Sequence, residues 1–136
     1  MRSRWRRPRL MLAVALAVAL ALAACGSPRT SLGTDASACF RALPVARQAV
    51  HERGRLVGVL RVSSEHALRI VPHENIRSVG SVCLVGFHDS YNKNNVDGVV
   101  RADGSKFAIV AVALDRRPRR LGTVLTDQLP ERFSHL

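Results

Sequence analysis

The chain has 136 residues, room for one domain, and its 21 basic and 10 acidic side chains give a formal net charge of +11. Five of those positive charges (Arg2, Arg4, Arg6, Arg7 and Arg9) fall within residues 1–24, which hold no acid; from Cys25 onward 16 basic and 10 acidic residues leave +6. Aromatic residues make up only 4 % of the chain, which argues against a carbohydrate-stacking surface.

The basic start is followed by an unbroken apolar run, Leu10 to Ala24. Fifteen residues at ~1.5 Å each span about 22 Å of helix, short of the ~30 Å hydrocarbon core, so the run reads as the apolar region of a targeting segment rather than a membrane span. Arg6-Arg7 suggests twin-arginine export, but Pro8 and Arg9 stand where an apolar pair usually follows, which favours general secretion. The small residues Ala21, Ala23 and Ala24 suit signal-peptide cleavage.

Leu22-Ala23-Ala24-Cys25 resembles the lipobox of bacterial lipoproteins, and the basic start and apolar run before it fit the same pattern. The resemblance covers the first 25 or so residues and none of the chain beyond. It implies that residues 1–24 are removed and that Cys25 receives a diacylglyceryl group and further acylation. The product would be anchored at the cell membrane on its extracytoplasmic face. Two or three acyl chains make such an anchor effectively permanent, since one chain alone binds only marginally. Residues 26–34, "GSPRTSLGT", have the Gly, Ser, Thr and Pro composition of a flexible tether.

Three cysteines are an odd number for an exported chain. With Cys25 lipidated, Cys39 and Cys83 remain as an even pair, expected either as a disulfide, favoured outside the cytoplasm, or as two buried thiols.

A single small α+β domain is expected over residues 35–136. Asp35 or Ser37 can cap a helix with Phe40, Leu43, Arg47 and Val50 at helical spacing, and Arg53-Gly54 supplies a stop. Pro44 allows either a kink or a helix that begins there. Past Gly54 come short runs rich in Val, Ile and Leu at 56–62, 68–71, 82–87, 99–101, 107–114 and 121–125, which read as five to six strands of a mostly antiparallel sheet. Asp103-Gly104 is a hairpin signal, residues 115–120 form a longer turn, and residues 129–133 suit a closing helical turn. Strand alternation puts Cys83, Val85 and Phe87 on one face and Leu84, Gly86 and His88 on the other. A Cys39–Cys83 bond would therefore lay the helix over the Phe87 face. The Phe residues read as core.

Four of the five histidines neighbour an acid (His51-Glu52, Glu65-His66, His73-Glu74, His88-Asp89), but adjacent residues do not face one another on a helix or a strand. None has the two-His spacing of a zinc helix. The oxygen-rich run 89–97, "DSYNKNNVD", fails the EF-hand register: Tyr91, Lys93 and Asn94 stand where two oxygen donors and a Gly are needed, and Val100 where the bidentate Glu belongs. Ser63, Ser64, Ser81 and Ser90 lack a nucleophile elbow. Neither catalytic residues nor a cofactor is expected.

The run "DRRPRR" at 115–120 gathers Arg116, Arg117, Arg119 and Arg120. Such a cluster attracts anions, and export makes headgroups or acidic envelope polymers the expected partners rather than nucleic acid. A solvated turn kept soluble by charge is the plainer reading. The sequence thus points to a membrane-anchored module, attached through the Cys25 lipid, that binds an envelope protein or an anionic envelope component. The alternative is a small metal-dependent enzyme or sensor using His88, Asp89 and the Asn-rich loop.

Overall fold

The computed structural model describes residues 37–133, an α+β domain built on one five-stranded sheet. The strands are β1 (Arg55–Ser63), β2 (Ser81–His88), β3 (Val99–Ala102), β4 (Phe107–Ala113) and β5 (Arg119–Thr126), in the spatial order β1-β2-β4-β5-β3. Three of the pairings are antiparallel, while β3 lies parallel to β5. The central strands β2 and β4 are buried almost end to end. Their unbroken apolar runs therefore mark a sheet covered on both faces.

One face packs under the N-terminal helical segment, a 3-10 turn (Ala38–Ala42) that leads into α1 (Leu43–Ala49) with Pro44 in the first turn of the α-helix. Proline is tolerated there because that N–H has no intrahelical acceptor, so of the two alternatives Pro44 allowed, the helix that starts beside it is the one realised. Cys39, Ala42, Ala46, Ala49 and Val50 point inward onto Cys83, Val85, Phe87, Val110 and Leu125. This stripe is displaced from the expected one, which ran through Phe40. Small residues let the short helix sit close to the sheet, and Phe40 is turned out to solvent at 61 % exposure.

The opposite face carries α2 (Ser64–Ile70) and two 3-10 turns (Glu74–Ser78 and Glu131–Phe133), which cover Val82, Leu84, Ile109, Ala111 and Val124. The expected strand at 68–71 is thus corrected to the end of a helix. Its start was legible: Ser63 is the N-cap, its hydroxyl accepting from His66 N, and Glu65 stands in the first turn. Leu68, Ile70 and Val71 cannot by themselves separate a strand from a buried helix end. The closing turn expected at 129–133 is present as Glu131–Phe133.

Asp103-Gly104 does not close a hairpin. β5 lies between β3 and β4, and the connecting segment instead passes over the end of β5. It is held there by Asp103 N donating to Leu125 O and by Ser105 N and Lys106 N both donating to Asp127 Oδ1. Those two backbone donors hold the Asp127 carboxyl below its ordinary value.

Candidate functional site

Two ends of the domain concentrate polar and charged groups. At the C-terminal end of α1 the chain turns through two consecutive residues with positive φ, His51 (51°) and Glu52 (60°), before Gly54 (84°). The left-handed region is costly for residues with a Cβ and persists where surrounding contacts fix it. Here they do. Asp97 N donates to Ala49 O at 2.8 Å, His51 Nε2 lies 2.9 Å from Asp97 Oδ1, and Arg120 Nη1 lies 3.3 Å from Asp97 Oδ2. The hydrogen bond to His51 does most to hold the Asp97 carboxyl below the usual carboxylate range; desolvation opposes it, and the smaller contributions of the neighbouring His51 and Arg120 charges add to the lowering. The buried Thr123 hydroxyl donates to Asp97 O at 2.9 Å, which commits that oxygen to the backbone.

Beside this corner Tyr91 is 2 % exposed and its hydroxyl donates to Arg53 O. Burial, then the neighbouring Asp89 charge, push its pKa up to about 12. Arg53 Nε pairs with Asp89 Oδ2 at 3.4 Å. Arg47 Nη1 donates to Gly54 O, with the guanidinium carbon 5.2 Å from the centre of the Phe87 ring.

The Asn-rich loop has turned its oxygens on its own backbone. Asn92 Oδ1 accepts from the N–H groups of Asn94 and Asn95, Asn95 Oδ1 accepts from Asn92 N, and Asp89 Oδ1 accepts from Ser90 N. This is the arrangement of Asx turns, which builds a rigid connection. His88 and Asp89 do not converge: the His88 ring lies against Phe107, centroids 5.0 Å apart, while Asp89 faces Arg53. Among the described residues, no group of three or more His, Cys, Asp or Glu is placed to hold a metal ion.

At the other end of α1 the arrangement is different. Cys39 and Cys83 form a disulfide with Cα atoms 5.6 Å apart, inside the usual range, and both residues are fully buried. Cys83 sits in a cross-strand row with Arg61 on β1 and Val112 on β4, so the 3-10 turn lies over this end of the sheet. Arg41 Nη2 donates to Arg116 O at 3.3 Å, which ties the turn before β5 to the same place.

The "DRRPRR" run is divided by the structure. Arg116 and Arg117 occupy the exposed turn, whereas Arg119 and Arg120 begin β5 opposite Ala113 and Val112, and so on opposite faces. Arg119 Nε reaches Asp115 Oδ2 at 3.3 Å, and Arg120 belongs to the Asp97 corner. Sequence reading missed Arg41, Arg61 and the exposed Phe40 as members of this end, because only the disulfide, the Arg41–Arg116 contact and the pairing of Arg61 with Cys83 place them there. Cys25 lies outside the described residues, as do Asp35 and the tether. Among the described residues no helix is long and apolar enough to cross a membrane. Comparison of the chain with protein-family models, with curated proteins and with solved structures finds no match.

Proposed function

We propose that the protein is a lipid-anchored lipoprotein of the extracytoplasmic face, held by Cys25, whose folded domain acts as a binding module for an anionic envelope component rather than as a catalyst. The observation that carries the reading is the fully buried Cys39–Cys83 disulfide, which leaves Cys25 as the single unpaired thiol, at the end of the lipobox-like segment. A disulfide in a small domain is at home in an oxidising compartment. The polar groups of the α1 corner support a non-catalytic role, because their donors and acceptors are spent on one another and on backbone groups. The basic end supports anion binding, since Arg116 and Arg117 stand exposed in a turn.

The test is an intact mass, without reductant, of protein extracted by detergent from its native membrane. The expected species starts at Cys25, carries acyl chains and has two hydrogens fewer than the dithiol. A Cys25→Ala variant should lose the acyl mass and leave the membrane fraction. An unacylated or uncut chain in the wild-type sample overturns the anchoring.

A further inference from the structure

The basic end combines three features that meet nowhere else among the described residues. It exposes a large aromatic side chain, Phe40, at 61 %. It gathers Arg41, Arg61, Arg116 and Arg117, all exposed, and none of these guanidinium groups is paired with a carboxylate among the described residues. The acids nearest in sequence to Arg61, Arg116 and Arg117 are already engaged, Glu65 by Arg69 and Asp115 by Arg119. Finally, it is the end at which the described residues begin, with Ser37 immediately before the 3-10 turn. From Cys25 to Ser37 the chain can reach at most about 40 Å, and a Gly- and Ser-rich chain of that length has a relaxed span of about 20 Å.

We propose that this end is a membrane-docking face: Arg41, Arg61, Arg116 and Arg117 rest on the anionic headgroups of the bilayer that holds the Cys25 lipid, with the Phe40 ring in the headgroup–acyl boundary. The proposal rests on the anchored reading, which supplies the bilayer within reach. Basic groups next to an anionic leaflet are each drawn to it, and an exposed aromatic ring, here the sequence neighbour of Arg41, is the usual interfacial partner. Bilayer contact also accounts for an exposed Phe at a position where the inward stripe of the same turn is made of Cys and Ala. Arg119 and Arg120 stay outside the face, each with its own carboxylate. The domain therefore lies with the 3-10 turn towards the membrane.

The test uses the mature protein carrying Phe40→Trp. Trp5 is the only tryptophan of the sequence and lies within the segment removed with the signal, so the new residue is the sole indole. In phosphatidylcholine vesicles containing phosphatidylglycerol, its emission should shift to the blue and be quenched by lipids brominated on the acyl chain; high salt should reverse both. In vesicles of phosphatidylcholine alone the shift should be largely absent. Replacing Arg41, Arg116 and Arg117 with Ser should weaken docking about fivefold for each arginine removed, while Arg119→Ser and Arg120→Ser should leave it within about twofold. Resistance of the buried Cys39–Cys83 disulfide to mild reductant reports that each variant is folded.

A spectrum unchanged between the two vesicle types and detergent overturns the docking face, as does an equal shift in both vesicle types or an equal effect of all five arginines. The mass of the same sample reads the anchor separately. Should it show no acyl chains, the protein is added to the vesicles from solution, where a salt-sensitive blue shift still supports the face and its absence overturns it.

Discussion

The two ends of α1 solve the same problem by opposite means. The N-terminal end is fixed covalently and by burial, through Cys39, Ala42 and the bond to Cys83, and among the described residues its arginines Arg41, Arg61, Arg116 and Arg117 have no carboxylate partner. The C-terminal end has no such bond and is held by polar contacts: Asp97 with Ala49, His51 and Arg120, Arg53 with Asp89, and Tyr91 with Arg53. Charge at that corner is spent inside the molecule. In this domain a covalent tie leaves surface charge without carboxylate partners, whereas a polar tie consumes it.

The comparison breaks most directly at the covalent end. Replacing Cys39 and Cys83 together with Ala should lower stability by about 4 kcal/mol in the chain-entropy account of a loop of this length, read by chemical denaturation as a lower midpoint with a slope that rises as the unfolded chain expands. An unchanged midpoint would mean that burial alone fixes the 3-10 turn. Next comes Gly54→Ala at the polar end. Gly54 has φ of 84°, and a Cβ there would run into the Tyr91 hydroxyl, so a loss of about 2–3 kcal/mol is expected. Because the Cys39–Cys83 bond is remote from it, the disulfide should still form in this variant, which alkylation without reductant checks.

Smaller effects sharpen the account of the polar corner. Tyr91→Phe removes one buried hydrogen bond and should cost about 1 kcal/mol near neutral pH. Its alkaline behaviour is the more specific signature. Since the folded pKa is raised from 10.0 to about 12, the neutral phenol's stabilisation is complete below pH 10 and is lost as pH rises towards 12. A pH titration of stability should therefore fall across that window in the wild type and stay flatter in Tyr91→Phe. The smallest effect belongs to Asp97→Asn. A depressed carboxyl stabilises above its unfolded value of 3.8 and loses that stabilisation as pH falls through its folded value. The variant should accordingly lose the acid-side decline that Asp97 supplies, read by thermal melts stepped from neutral pH downwards.

How much of this was legible depended on the range of the signal. Strands β1, β2, β4 and β5 announced themselves through local runs of Val, Ile and Leu, and the pairing of Cys39 with Cys83 followed once the third cysteine had another role. Alternation along β2 correctly assigned Cys83, Val85 and Phe87 to the helix-covered face. Apart from the helix end at 68–71, the failures turn on partners distant in sequence. Ile70 and Val71 look like a strand until the Ser63 cap is weighed against them. Asp103-Gly104 carries hairpin chemistry, yet the turn chemistry cannot see β5 arriving between its flanking strands. The run at 115–120 looks uniform in charge, but the register of β5 against β4 sends Arg119 and Arg120 to opposite faces. The polar corner was invisible for the same reason: His51 and Asp97 are 46 residues apart, and the adjacent Glu52 is not the acid that His51 contacts.

The position of the disulfide also fixes the path of mechanical load. Any pull on the chain ahead of the domain arrives at Cys39 and crosses directly to Cys83 on β2, which is hydrogen-bonded to β1 on one side and β4 on the other. The intervening residues, among them α1, β1 and α2, lie within the closed loop and outside that path, so tension cannot peel the helix from the sheet one turn at a time. Force must instead shear a central strand from both neighbours at once, with the β2–β4 ladder as the first element to resist. Reduction of the bond would add a loop of 44 residues to the extensible chain and make the helix the weakest link.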